Sequence, residues 1–209
     1  MAAFRTRTVF ILLSAAPVLM FSGCFRYNPY ETGNFRKTGV FAKTSGLPFV
    51  CGTKTRVMQG AFGKSSHDEP GNEYSWDLEI PENTPVLAVE DGVVIGVYAP
   101  SPASGGCDKA FSGAAWNVQV EHKDGSVAQY VHISPSVSRN DKVNAGKSIG
   151  STNMTGWICY PHLHFGVYRS AANLYSSRER STVPVMFREA RGGILMEGGS
   201  YTACEESLH

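Results

Sequence analysis

The stretch Trp116–Ser134, "WNVQVEHKDGSVAQYVHIS", decides how the chain folds. Two runs rich in β-branched residues flank the dipeptide Asp124-Gly125, whose glycine can take the positive φ that a tight hairpin turn demands. Successive side chains of a strand point to opposite faces. Val118, Val120 and His122 therefore share one face, and Asn117, Gln119 and Glu121 share the other. The pattern predicts an antiparallel strand pair with one apolar face, and leaves His122, two residues before the turn, as a solvent-near residue.

Upstream, "TPVLAVEDGVVIGVY" (residues 84–98) repeats the arrangement around Asp91-Gly92 and predicts a second hairpin. Between the two lies "APSPASGGCDKAFSGAA" (residues 99–115), a Pro-, Ser- and Gly-rich excursion too long for a tight turn. Loops of that length without structure of their own are usually functional or pinned. Downstream, residues 140–170 read as a turn, a short strand, a Gly- and Thr-containing loop, and a strand in "CYPHLHFGVY". Only "SSRERSTVPVMFREA" (residues 176–190) offers helix, and Pro184 interrupts it. The expectation is an all-β domain: an antiparallel sheet with hairpins, long loops forming a groove, and little helix.

The chain has 209 residues, 42% of them hydrophobic, enough for one ordinary domain with appendages. Nineteen basic and 18 acidic residues are scattered rather than clustered, so there is no electrostatic footprint for nucleic acid. Arg5 and Arg7, the apolar run from Val9 to Phe21, and Ser22-Gly23 form a signal-peptide layout. The run is shorter than the roughly 20 residues a membrane-spanning helix needs. Phe21-Ser22-Gly23-Cys24 resembles a bacterial lipobox, with Phe21 where Leu is usual, which implies an exported lipoprotein anchored to a membrane through Cys24. The expected division is residues 1–23 as signal peptide, 24–46 as tether and 47–209 as the folded domain. Export places Cys51, Cys107, Cys159 and Cys204 where disulfides persist. Of three possible pairings the expected one joins Cys107 to Cys159 and Cys51 to Cys204, since the first bridge would pin the long loop beside "PHLHF"; Cys51 with Cys159 is the competing arrangement.

His162 and His164 alternate with Leu163 and Phe165, so both imidazoles project from one face of a strand. His132 ends the second strand of the Trp116–Ser134 hairpin, and His67 and Asp77 lie upstream of the first. A hydrolytic zinc commonly takes three protein ligands and keeps one position open. The order His67, Asp77, "YVHIS" and "PHLHF" resembles that of the lysostaphin-type, LytM-like (M23) zinc metallopeptidases, which cut peptidoglycan peptides. "ENTPVLAVEDGVVIGV", "VQVEHKDGSVAQYVHIS" and "KVNAGKSIGSTNMTGWICYPHLHF" are similar to further segments of that family, and the likeness runs from about His67 to Tyr168.

The resemblance implies one Zn²⁺ held by His67, Asp77 and His164, with His132 and His162 as the unligated catalytic pair. No H-E-x-x-H occurs, so proton transfer falls to imidazole, whose ordinary pKa is about 6.5. Asn117 and Tyr130 are the candidate substrate contacts, Asn117 having a loop backbone as its other possible partner. The family's first His and Asp are usually four residues apart, whereas ten separate His67 from Asp77, and Glu73 stands at the usual place. His67 is the expected first ligand, supported by Tyr74 three residues before Asp77 as in longer-spaced relatives; Glu73 is the alternative. The implied function is a zinc endopeptidase for peptidoglycan stem or cross-bridge peptides. An inactive regulator of cell-wall amidases and a protein-directed peptidase are the competing readings.

Overall fold

A computed structural model describes residues 43–205. Cys24, the signal segment and most of the tether lie outside the described residues. In chain order the strands are β1 (Lys43–Ser45), β2 (Lys54–Gln59), β3 (Ser75–Glu79), β4 (Pro85–Leu87), β5 (Gly92–Tyr98), β6 (Gly105–Gly106), β7 (Asn117–His122) and β8 (Val127–Val131). They continue as β9 (Ile133–Pro135), β10 (Lys142–Val143), β11 (Ser148–Thr152), β12 (Gly156–Trp157), β13 (His162–Tyr168), β14 (Val185–Phe187) and β15 (Ser200–Thr202). One eight-stranded antiparallel sheet, ordered β10-β5-β7-β8-β13-β3-β2-β15, dominates, and a three-stranded sheet, β4-β11-β9, packs beside it.

The hairpin around Asp124-Gly125 forms as β7 and β8, with Val120 opposite Ala128 and Gly125 at φ 82°. Its alternation is visible in burial: Val118, Val120 and His122 are inside, while Asn117, Gln119 and Glu121 are partly open. His122 is buried rather than solvent-near, its Nδ1 3.2 Å from the Asp91 carbonyl of the loop that covers it.

The second expected hairpin does not form. β4 joins the small sheet, pairing with β11, whereas β5 joins the large one between β10 and β7. The backbone groups of Ala88 bond to Lys147 and Gly146 instead of to β5, so Ala88–Asp91 carries the chain from one sheet to the other. The helix also falls elsewhere. α1 is Ala171–Tyr175, capped by the Ser170 side chain, and residues 176–190 contribute β14 instead. β1 lies ahead of the boundary expected at residue 47 and pairs in parallel with β14.

The core lies under one face of the large sheet, where Trp76, Leu78, Val118, Val120, Tyr130, Leu163 and Phe165 are fully buried. Trp76 meets Phe187 edge-on at 4.9 Å, and Tyr130 packs on Phe165 at 5.4 Å. Burying each such side chain stabilises the fold by about 1.5–3 kcal/mol. The opposite face therefore rests on a rigid floor. Disulfides join Cys51 to Cys204 and Cys107 to Cys159, with Cα atoms 5.0 Å and 4.3 Å apart.

Candidate active site

Strand register aligns one row of side chains across the large sheet. Gln59 lies opposite Asp77, Asp77 opposite His164, His164 opposite Val131, and Val131 opposite Asn117. Directly opposed residues share a face, and neighbouring strands are about 4.8 Å apart, so the row forms a continuous strip facing away from the core. A bulge between Val57 and Gln59 sets its first member, because the extra residue Met58 lets Gln59 face Asp77.

His67 comes from the turn-rich loop between β2 and β3 and is fully buried. Its Nδ1 donates to the Gly60 carbonyl at 2.8 Å, leaving the Nε2 lone pair aimed at Asp77 Oδ1 (3.2 Å) and His164 Nδ1 (3.3 Å). His164 Nδ1 is 2.9 Å from Asp77 Oδ1. Three acceptor-capable atoms thus converge, all within 4.8 Å of one another. The edges of a zinc tetrahedron with bonds of 2.0–2.1 Å measure about 3.3 Å, so the separations of 2.9, 3.2 and 3.3 Å fit a shared cation.

Glu73 is not part of this convergence; its carboxylate accepts from the Gly71 amide at 2.9 Å, stabilising the loop. Behind Asp77, Gln59 Nε2 donates to Oδ2 at 3.0 Å and to the Ser66 hydroxyl at 2.9 Å. Gln59 Oε1 accepts from the amides of Ser65 and Ser66. Gln59 therefore ties the His67 loop to the Asp77 carboxylate. Nothing in "KTRVMQG" marked it, because only the bulge turns it inward.

His132 and His162 stand beside the three, their rings 4.7 Å apart and edge-on. Both are oriented through backbone carbonyls: His132 Nδ1 donates to Thr155 at 2.6 Å and His162 Nδ1 to Tyr160 at 2.8 Å. His162 Nε2 lies 3.7 Å from Asp77 Oδ1. His132 has φ 64°, a conformation uncommon outside glycine, at the point where the chain leaves β8 for β9 in the other sheet. The loop that holds it is set by Asn153, whose amide donates to the His132 carbonyl and whose side chain accepts from Thr155. Gly156 closes that loop at φ 86°, where a Cβ would sit 2.4 Å from that of Ala115.

Electrostatics matches this arrangement. Burial opposes the charge on Asp77, but the imidazoles of His67, His162 and His164 around it hold its carboxyl well below the usual range. Burial also opposes protonation of His67, and Asp77 outweighs it to raise the imidazole. Burial, reinforced by His162, pushes His132 down to about 3, so it is neutral near pH 7. Burial lowers His164 against the pull of Asp77.

Of these side chains, His132 and His164 line a cleft of about 420 Å³. Asn117 lines it, with Nδ2 bonded to the Ala115 carbonyl at 3.1 Å and Oδ1 accepting from Gln119 at 3.0 Å. Tyr130, expected beside substrate, is not in the cleft: it is fully buried and its hydroxyl accepts from the Val89 amide at 3.0 Å. Tyr130 alternates with Val131, and a shift of one residue along a strand moves a side chain to the other face. The Cys107–Cys159 bridge fastens the Lys109–Ala114 turn, part of the cleft wall, to the segment preceding His162.

The arrangement defines a site able to hold one metal ion beside two imidazoles placed for proton transfer. The sequence profile of Peptidase family M23 matches residues 71–176, just over half of the 209-residue chain, and the chain belongs to that family. Its members are zinc metallopeptidases. Asp77, His132, His162 and His164 lie inside the matched region, and His67 lies just ahead of it.

Among curated proteins, the glycyl-glycine endopeptidase ALE-1 of Staphylococcus capitis is 32% identical over 97 residues, covering 46% of this chain and 24% of that protein. The peptidoglycan DD-endopeptidase ShyA of Vibrio cholerae is 31% identical over 90 residues, covering 43% and 18%. The chain spans a quarter or less of the length of the curated relatives it matches. Among solved structures, the catalytic domain of the antimicrobial peptidase lysostaphin from Staphylococcus simulans aligns at 24% identity with a TM-score of 0.39, covering 55% of this chain and 78% of that one.

Proposed function

We propose that this chain is a zinc-dependent endopeptidase that hydrolyses peptide bonds in peptidoglycan stem or cross-bridge peptides. The observation that carries the reading is the convergence of His67 Nε2, Asp77 Oδ1 and His164 Nδ1 on one point beside a cleft that His164 lines. The name of ShyA, a peptidoglycan DD-endopeptidase, supports peptidoglycan as the substrate class, and that of ALE-1, a glycyl-glycine endopeptidase, supports cleavage within a peptide. One Zn²⁺ per chain, held by those three atoms, supplies Lewis acidity toward a scissile carbonyl and lowers the pKa of water.

The remaining steps belong to the chain's own residues. Because His132 and His162 donate Nδ1–H to backbone carbonyls, the neutral form of each carries its unshared pair on Nε2. In that form either imidazole can accept a proton at Nε2. The imidazole that takes the proton of the attacking water becomes an imidazolium with Nε2–H turned into the cleft. From there it stabilises negative charge developing on the carbonyl oxygen, or returns the proton to the leaving amine. The partner imidazole and the buried Asp77 carboxylate stabilise that transient cation. Asn117 contributes by bracing the cleft wall.

Cellular placement follows from the first residues: export by the signal segment and anchoring through lipidated Cys24 put the cleft in the cell envelope, facing the periplasm. Cys24→Ser should move the protein from the membrane fraction to the soluble one. For the activity, the purified protein should contain about one zinc and release soluble fragments from isolated peptidoglycan in a chelator-sensitive way. His164→Ala should lose both properties. A folded, zinc-loaded protein that cleaves no peptidoglycan would falsify the reading.

A further inference from the structure

We infer that Arg180 is a specificity residue of the cleft, recognising a free carboxylate on the peptide about two residues from the bond that is cut. This rests on the endopeptidase reading above and narrows its substrate class. Apart from the histidines, the charged side chains lining the cleft are Glu69, Lys109 and Arg180. Glu69 and Lys109 neutralise each other at 2.5 Å. Arg180 has no carboxylate at ion-pair distance among the described residues, which leaves the cleft with one uncompensated cation.

That cation is held in place by neutral groups. Arg180 Nη2 donates to the Tyr168 hydroxyl at 2.8 Å and, more distantly, to Gln129 Oε1 at 3.4 Å. The guanidinium lies over the Tyr168 ring, 5.3 Å from its centroid. Its stem runs against Gly71, where a Cβ would lie 2.8 Å from Arg180 Cγ and 3.3 Å from Nε, and where φ is 96°. The backbone is anchored close by, since Thr182 bridges to Tyr168 and its hydroxyl accepts from the Tyr74 amide at 2.7 Å. All the polar contacts fall on Nη2. The Nε–H and Nη1–H donors have no acceptor among the described residues, and each can give a carboxylate oxygen a charge-assisted hydrogen bond.

Register fixes how far this group is from the reacting end. Gln129, beneath Arg180, is two residues along β8 from Val131, and Val131 lies opposite His164. Two residues of strand span about 7 Å, which is also the reach of two residues of an extended peptide lying along the cleft. Arg180 comes from beyond the family-matched region, so the recognition is a feature of this chain's C-terminal segment rather than of the shared fold.

The test uses muropeptide dimers in two forms, one with native free carboxylates and one with the same carboxylates amidated. The zinc-loaded wild-type protein should favour the free acid by about 10- to 100-fold in kcat/KM, mostly through KM, as expected for a charge-assisted hydrogen bond. Arg180→Gln should bring the ratio close to one, and Arg180→Lys should keep part of it because the positive charge remains without the anchoring of Nη2 by Tyr168 and Gln129. Equal cleavage of both forms by wild type, or an undiminished preference in a zinc-loaded Arg180→Gln, overturns the assignment. If wild type cuts neither form, the endopeptidase reading fails, and calorimetric titration of the two peptides then decides on Arg180. A carboxylate preference in binding that vanishes in Arg180→Gln supports it; no preference overturns it.

Discussion

Asp77 and His164 face each other across β3 and β13 with Oδ1 and Nδ1 2.9 Å apart, and the other carboxylate oxygen of Asp77 is occupied by Gln59 at 3.0 Å. The carboxylate is thereby oriented from behind, with one oxygen left for the cation site. Groups that orient a ligand in this way matter about as much as many ligands do.

Gln59→Leu removes that orientation and leaves the Ser65 and Ser66 amides without their acceptor. Zinc affinity, measured by competition with a chromophoric chelator, should fall about 10- to 100-fold. Glu73→Gln, which alters only a loop hydrogen bond to Gly71, should leave zinc affinity near that of the wild type. The reverse pattern would return the first-ligand role to Glu73.

Tyr130→Phe tests whether this tyrosine acts in the core or on substrate. Its hydroxyl accepts one hydrogen bond from the Val89 amide in a fully buried position. Denaturant unfolding should show a loss of about 1 kcal/mol. KM for peptidoglycan fragments should stay within error, and a several-fold rise in KM with unchanged stability would contradict the core role.

His122 makes an acid-side contribution to stability at a distance from the cleft. Burial lowers its pKa below the ordinary value of about 6.5, so below that pH the unfolded chain binds a proton that the folded one resists. The unfolded state then holds more protons, and stability falls as pH drops from about 6.5 toward the folded pKa, by at most about 1.4 kcal/mol per pH unit. His122→Leu should flatten that part of the stability–pH curve. An unchanged slope in urea melts between pH 6.5 and 4 would show that His122 is not the group responsible.

The two disulfides should differ in what they protect. Cys51–Cys204 closes a sequence separation of 153 and Cys107–Cys159 one of 52. Loop-closure entropy puts these at about 5 and 4 kcal/mol respectively, upper values that native strain and residual structure reduce. Replacing both Cys107 and Cys159 with serine should lower the unfolding midpoint and also raise KM, because the Lys109–Ala114 wall is released. Replacing Cys51 and Cys204 should lower the midpoint without that rise in KM. Equal KM effects from both pairs would argue against a special role for the cleft-side bridge.

Much of this was legible along the chain because it depends on neighbours in sequence. The Asp124-Gly125 turn and the alternation of Val118 and Val120 define one hairpin, and the two-residue spacing of His162 and His164 puts both imidazoles on one face whatever strand lies beside them. Tyr130 was misplaced because it belongs to a recognisable motif yet sits one residue out of phase with the cleft-facing Val131. The hairpin expected at Asp91-Gly92 failed for a different reason. Its turn signal is real, but β4 finds its backbone partners in β11 and the segment before it, a long way down the chain.

The sequence by itself determined the β-rich character, the identity of the histidines and aspartate available for chemistry, and the spacing that pairs His162 with His164. Only the tertiary structure decided that His67 rather than Glu73 meets Asp77, that a bulge at Met58 brings Gln59 behind the carboxylate, and that Arg180 from beyond the shared region enters the cleft. The division has a physical cause. Alternation and turn chemistry are set by residues a few positions apart, whereas strand partners and register are chosen by burial and hydrogen bonding between segments that meet only when the sheet closes.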